Sequence, residues 1–202
     1  TQGPPMSATA PVTIPTATNP LLAEGPLPDF GAIQPEHVEP AVRGLIEEQR
    51  ARVASIEALA PPSFATVIEP LEQMRHRLAR AWSPVGHLNA VMNSEPLRAA
   101  YNAGLPKLTA YFTELAQDER LYAGYKSIAA SPEFSRLTQA QKKIIENTLR
   151  DFRLAGAELP PEKKARFKAV QQELAALQSK FSENVLDATQ AWDLRISDEK
   201  DL

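Results

Sequence analysis

A chain of 202 residues with 43% hydrophobic and 23% charged residues has the make-up of an ordinary folded domain, which excludes wholesale disorder and a fibrous repeat. A formal net charge of -3 supplies no clustered positive field for nucleic acid, and the lack of cysteine removes disulfides, thiolate chemistry and Cys-based zinc sites. No apolar run approaches the ~18 residues of a membrane span and no secretory leader is legible, so the expected setting is the cytoplasm, with neither membrane nor nucleic acid as a partner.

Residues 1–18, TQGPPMSATAPVTIPTAT, carry no charge and no amphipathic period, and cannot bury enough surface to offset their ordering entropy. They are expected to form a flexible tail, with Thr1 to Pro5 either an added remnant ahead of Met6 or the end of a processed leader. Residues 19–202 are expected to make one helical domain. Asn19 to Gln34 is dense in Pro and Gly but carries Leu21, Leu22, Leu27, Phe30 and Ile33, the pattern of an extended arm docked on a core. Pro35 suits a first helical position, followed by Glu36 and Glu39 where the helix dipole favours acids. A stripe from Val38 to Leu59 then runs to Pro61-Pro62.

Ser63 can cap the next helix, whose stripe runs from Phe64 to Trp82. Pro70 interrupts it, which predicts a kink or two helices abutting at Glu69-Pro70, and Pro84 repeats the interruption. Ser94 can cap a helix through Leu115, bent at Pro106. Asp118 opens a short helix through Ile128, and Thr138 opens another through Phe152 that Gly156 closes in a left-handed conformation. From Pro161 onwards Phe167, Val170, Leu174, Leu177, Phe181, Val185, Ala188 and Trp192 recur at steps of three and four, giving a helix of roughly 30 residues and ~45 Å. This is the strongest period in the chain, and it predicts an antiparallel hairpin with the preceding helix. DLRISDEKDL then alternates Leu194 and Ile196 with polar residues as the start of a strand. No upstream window offers that strand a partner, so the chain reads as cut short at Leu202. The expected fold class is all-α: an antiparallel helical bundle with kinked helices, a long C-terminal helix and the start of a strand at the C-terminus.

Chemistry is sparse. The three histidines, His37, His76 and His87, form no His-Glu-x-x-His pair, and Glu72 with His76 reads as a helix-surface contact. His37 reads as first-turn polarity and His87 as a packing residue or a group facing a groove. The eight glycines are scattered singly, leaving no phosphate loop and no nucleophile elbow. Glu146, Asp151, Glu183 and Asp187 read as solvated helix positions, and the basic sets Arg75, His76, Arg77, Arg80 and Lys163, Lys164, Arg166, Lys168 as faces of amphipathic helices. No catalytic, cofactor-binding or metal-ligating residue is assigned.

The segments NPLL from Asn19, LPDFGAIQPEHVEPAV from Leu27, SPVGHLNAVMNS from Ser83, QKKIIENTLRDFRLAGAELP from Gln141 and FSENVLDATQAW from Phe181 together resemble the N-terminal region of the thimet oligopeptidase family of zinc peptidases. The resemblance runs in order from Asn19 to Leu202. It implies one wall of a deep channel that admits short, unfolded peptides, with the C-terminal catalytic domain of the same polypeptide as partner. In that family zinc polarises the scissile carbonyl and a Glu activates the bound water. The His-Glu-x-x-His helix and the third ligand lie hundreds of residues further along, so the resemblance implies zinc in the parent enzyme and none here. Channel-facing residues are expected between Trp82 and Asn93, with His87 and Asn89 as the candidates, on the strength of the prolines and polar side chains there. The competing reading is a stand-alone helical adaptor.

Overall fold

The computed structural model describes residues 19–198 and residue 200. The tail expected at residues 1–18 lies outside them. Among the described residues there are seven α-helices and no strand: α1 (Pro35–Glu57), α2 (Glu69–Val91), α3 (Glu95–Ala116), α4 (Glu119–Ala130), α5 (Pro132–Arg136), α6 (Gln139–Leu154) and α7 (Pro161–Gln190). A 3-10 turn, Pro20–Leu22, precedes them, and a π-helical turn, Phe64–Ile68, leads into α2.

Side chains set the helix starts. Ser63, Ser94, Asp118 and Thr138 each accept backbone N–H groups that the first turn would leave orphaned. The arm is pinned by Asn19, whose Oδ1 accepts the Leu21 N–H at 3.0 Å while its Nδ2 donates to the His37 carbonyl at 2.8 Å. Its buried apolar anchors are at its two ends: Leu21 and Ile33 are buried, whereas Leu27 is 82% exposed.

Prolines interrupt less than their positions suggest. The event expected at Glu69-Pro70 is the abutting of two helical segments, the π turn meeting α2 with Pro70 in its first turn. At Pro84 and Pro106, however, α2 and α3 continue without a break. A single missing hydrogen bond is tolerated where neighbouring helices hold both halves, and Pro84 is itself buried.

The core is two clusters joined by α1. The first gathers Val38, Val42 and Leu45 of α1 with Leu78 and Val85 of α2 and Leu108 of α3. The second gathers Val53 and Ile56 of α1 with Ile68, Tyr125 and Ile128, and with Ile145 and Phe152 of α6.

Helix α7 departs from the expected hairpin: it packs along α3, not α6. Gly156 does adopt the left-handed conformation, at φ 87°, and the loop it opens is held against the end of α3 by Gln117, whose Nε2 donates to the Ala155 carbonyl at 2.9 Å. From there Lys164 reaches Glu119, Lys168 reaches Glu114 and Asp187 reaches Arg98. Position rises along α7 as it falls along α3, so the two helices run antiparallel.

Among the described residues the expected strand is absent as well. Trp192 to Ser197 has no regular structure, and Leu194 and Ile196 are 70% and 45% exposed. Strand hydrogen bonds need a second backbone, and no described segment lies alongside to supply one.

Candidate functional site

Where α2 ends, Asn93 and Ser94 turn the chain into α3, Ser94 capping α3 through the Leu97 N–H at 3.4 Å. The end of α2, the first half of α3 and the second half of α7 enclose a groove of about 580 Å³, bordered by Gly86, Asn89, Tyr101, Leu105, Ser182 and Leu186, among others. A chain of polar contacts crosses it. Asn93 Nδ2 donates to the carbonyl and the side-chain oxygen of Asn89 at 2.8 and 3.0 Å, and Arg98 Nε donates to Asn93 Oδ1 at 3.0 Å.

The same guanidinium clamps Asp187 in two-pronged fashion at 2.9 and 2.6 Å, a geometry stronger than a single hydrogen bond. Arg98 holds the Asp187 carboxyl below the usual carboxylate range. One turn away Asn102 donates to Glu183 at 2.6 Å and accepts from Ser179 at 2.9 Å. Both acids are therefore engaged in fastening α7 to α3. The groove offers amide and hydroxyl groups between apolar walls, a lining that can hold an extended backbone.

The two candidate residues part company here. Asn89 borders the groove, while His87 sits on another side of α2, its ring edge-on to Phe30 with centroids 5.6 Å apart. Two residues along a helix turn through about 200°, so the pair cannot share a face. Glu183 and Asp187 read as solvated helix positions in the sequence, and Asn93, Arg98, Asn102 and Ser179 were not singled out as site residues. A signal for them existed: Ser179, Glu183 and Asp187 recur every four residues, as do Arg98 and Asn102.

Other polar groups are engaged within or between helices. Glu72 meets Arg75, not His76, at 3.8 Å, and Arg77 pairs with Glu48 of α1. His37 Nδ1 accepts the Gln34 N–H at 3.0 Å, which commits it to the start of α1. Among the described residues no group of three His, Asp or Glu is placed to hold a metal ion, so this donor set does not fit a zinc site. A second cavity, about 290 Å³, lies between the core clusters beside Gln49, Met74, Leu115 and Phe152. Tyr111 borders it, and its hydroxyl is buried with no hydrogen-bond partner among the described residues.

Near the end of α1, Glu57 has a side chain only 9% exposed, with Arg120 at 3.2 Å. Burial, reinforced by the neighbouring Asp118 carboxyl, pushes its pKa up to about 7 against the pull of Arg120.

The described residues thus form a helical domain with a groove at one edge. Residues 42–164 match the model of the N-terminal domain of neurolysin and thimet oligopeptidase. The chain is similar to oligopeptidase A of Haemophilus influenzae, 46% identical over 92% of this chain, and to the probable cytosolic oligopeptidase A of Arabidopsis thaliana, 34% identical over 92%. Dipeptidyl carboxypeptidase of Salmonella typhimurium is 28% identical over 90%. The chain belongs to the thimet oligopeptidase family and corresponds to its N-terminal region. It spans only 26 to 28% of the length of these three relatives.

Proposed function

We propose that these residues form the channel-wall domain of a zinc-dependent cytoplasmic oligopeptidase that hydrolyses internal bonds of short, unfolded peptides. The observation that carries this reading is the match to oligopeptidase A over 92% of the chain but only 27% of the relative, which supports a peptidase activity belonging to the longer polypeptide. On this reading the metal ligands and general base lie in a C-terminal catalytic domain outside these residues. The groove beside Asn89 faces the peptide and binds it through side-chain amides, while His87 and Phe30 present an aromatic edge on the neighbouring surface.

The test is hydrolysis of an internally quenched peptide of about ten residues, a length the proposed channel would admit. Full-length polypeptide should cleave it, lose activity to a chelator and regain it with zinc; the 202-residue chain should do neither and carry no stoichiometric zinc. In full-length enzyme Asn89→Ala should alter the ranking of peptides with little change in melting temperature. Chelator-sensitive cleavage by the short chain would overturn the assignment of chemistry to the remainder. Release of C-terminal dipeptides alone would favour the carboxypeptidase branch over internal cleavage.

A further inference from the structure

Helix α7 has two faces of opposite character, and they lie the unexpected way round. The half-buried residues turned toward the bundle include Lys164, Lys168, Ala175, Ser179 and Glu183, polar or small side chains that meet α3 through ion pairs and hydrogen bonds. Most of the large apolar residues are on the other side: Val170, Leu174, Leu177, Phe181 and Val185 are 41%, 45%, 60%, 70% and 50% exposed, while Phe167 and Leu186 are half-buried with the bundle-facing set and Phe181 and Val185 also border the groove. At 100° per residue the two sets are centred roughly 140° apart. An apolar stripe of this length exposed on a folded domain marks a surface made to be covered.

The spacing describes what covers it. Val170 and Phe181, like Leu174 and Val185, are eleven residues apart, and eleven residues in three turns is close to the natural pitch of a straight helix. The stripe therefore runs straight along α7 for about 22 Å, matching the side of another near-parallel or antiparallel helix. Trp192 and Leu194, 71% and 70% exposed, extend apolar surface past the helix end.

Area decides between occupants. One helix face about 22 Å long and 10 Å wide falls well short of the ~800 Å² per partner of a stable dimer. A segment tethered to the same chain needs no such area, because tethering supplies an effective concentration near the millimolar range. The match covers only 27% of the Haemophilus influenzae relative, so most of that longer protein lies outside the matched region.

We propose that the outward face of α7, from Val170 to Val185, is the seam onto which a helix of the same polypeptide, from outside these 202 residues, docks. This rests on reading the chain as the N-terminal region of a longer peptidase. It assigns α7 a double role, fastened to α3 by polar contacts and to the remaining polypeptide by apolar ones.

Because these 202 residues contain no cysteine, single cysteines report the seam directly. Leu177→Cys and Phe181→Cys are compared with Ala51→Cys, on the exposed side of α1, after any cysteines elsewhere in the full-length polypeptide have been replaced. Maleimide should label the two seam positions at least roughly tenfold more slowly in monomeric full-length polypeptide than in the 202-residue chain, with Ala51→Cys unchanged. Equal labelling in both overturns the proposal. Protection that arises in the short chain with rising concentration, together with a doubled mass in light scattering, assigns the face to a second copy and overturns it too. Peptide hydrolysis reports separately: a protected seam in a polypeptide that cleaves nothing leaves the docking intact and removes the peptidase reading, and an active enzyme with an unprotected seam does the reverse.

Discussion

Helix α1 is 23 residues long and buries eight of them; α7 is 30 residues long and buries none. Both carry apolar residues at helical spacing. The difference is position: α1 runs between two core clusters and contributes to both, whereas α7 lies on the outside of α3 with its stripe turned away. A period shows that a helix has an apolar face but not what covers it. Within these residues α1 is structure, and α7 is structure on one side and interface on the other.

Truncation should expose that contrast most strongly. Leu45 of α1 is 2% exposed, so Leu45→Ala should cost ~2–5 kcal/mol in urea unfolding of the 202-residue chain. The equivalent Leu177→Ala should stay within ~0.5 kcal/mol. Comparable losses at the two sites would mean that α7 is buried after all and would erase the comparison.

The turn that sends α7 back along α3 comes next. Gly156 has φ 87°, and a Cβ there would lie 2.6 Å from Leu159 Cδ1. Gly156→Ala should therefore destabilise by ~2–4 kcal/mol, combining left-handed strain with overpacking. A melting temperature equal to that of the parent chain would show that the loop does not need this conformation.

At the end of α1, Glu57 gives the body of the domain a pH dependence opposite in sign to the one that the lowered Asp187 carboxyl gives α7. Its folded pKa, about 7, lies above the ordinary 4.5, so folding favours the protonated acid. That contribution is fully present below about pH 4.5 and is lost as pH rises through 7. Glu57→Gln, neutral throughout, should match the parent at low pH and exceed it by on the order of 1–3 kcal/mol above pH 7. A parallel pair of stability curves would refute the raised pKa.

The smallest effect is expected at the polar fastening of α7. Asp187→Asn removes one charge from the two-pronged clamp with Arg98 and should speed amide exchange within α7, with little change in α1. High salt should reproduce the change in the parent chain, because exposed ion pairs are screened. Exchange that rises equally in α1 would mean that α7 is no separate unit.

The groove was only partly legible in advance. Asn89 could be singled out because a polar residue in a proline-bounded helical segment is conspicuous, and the groove does run beside it. Of the residues that span the groove, Glu183 and Asp187 read as solvated helix positions and Arg98 carried no reading, since Arg98 and Asp187 are 89 positions apart and no local pattern pairs them.

By itself the sequence determined the helices, their caps and the glycine turn, because those depend on side chains within four residues of one another. Ser63, Ser94, Asp118, Thr138 and Gly156 each act where local chemistry puts them. Only the tertiary structure decided that α7 lies on α3, that α2 and α3 continue through Pro84 and Pro106, and that the apolar stripe of α7 faces outward. Those outcomes are set by contacts between distant segments, such as Gln117 holding the Ala155 carbonyl, whose partners no periodicity can name.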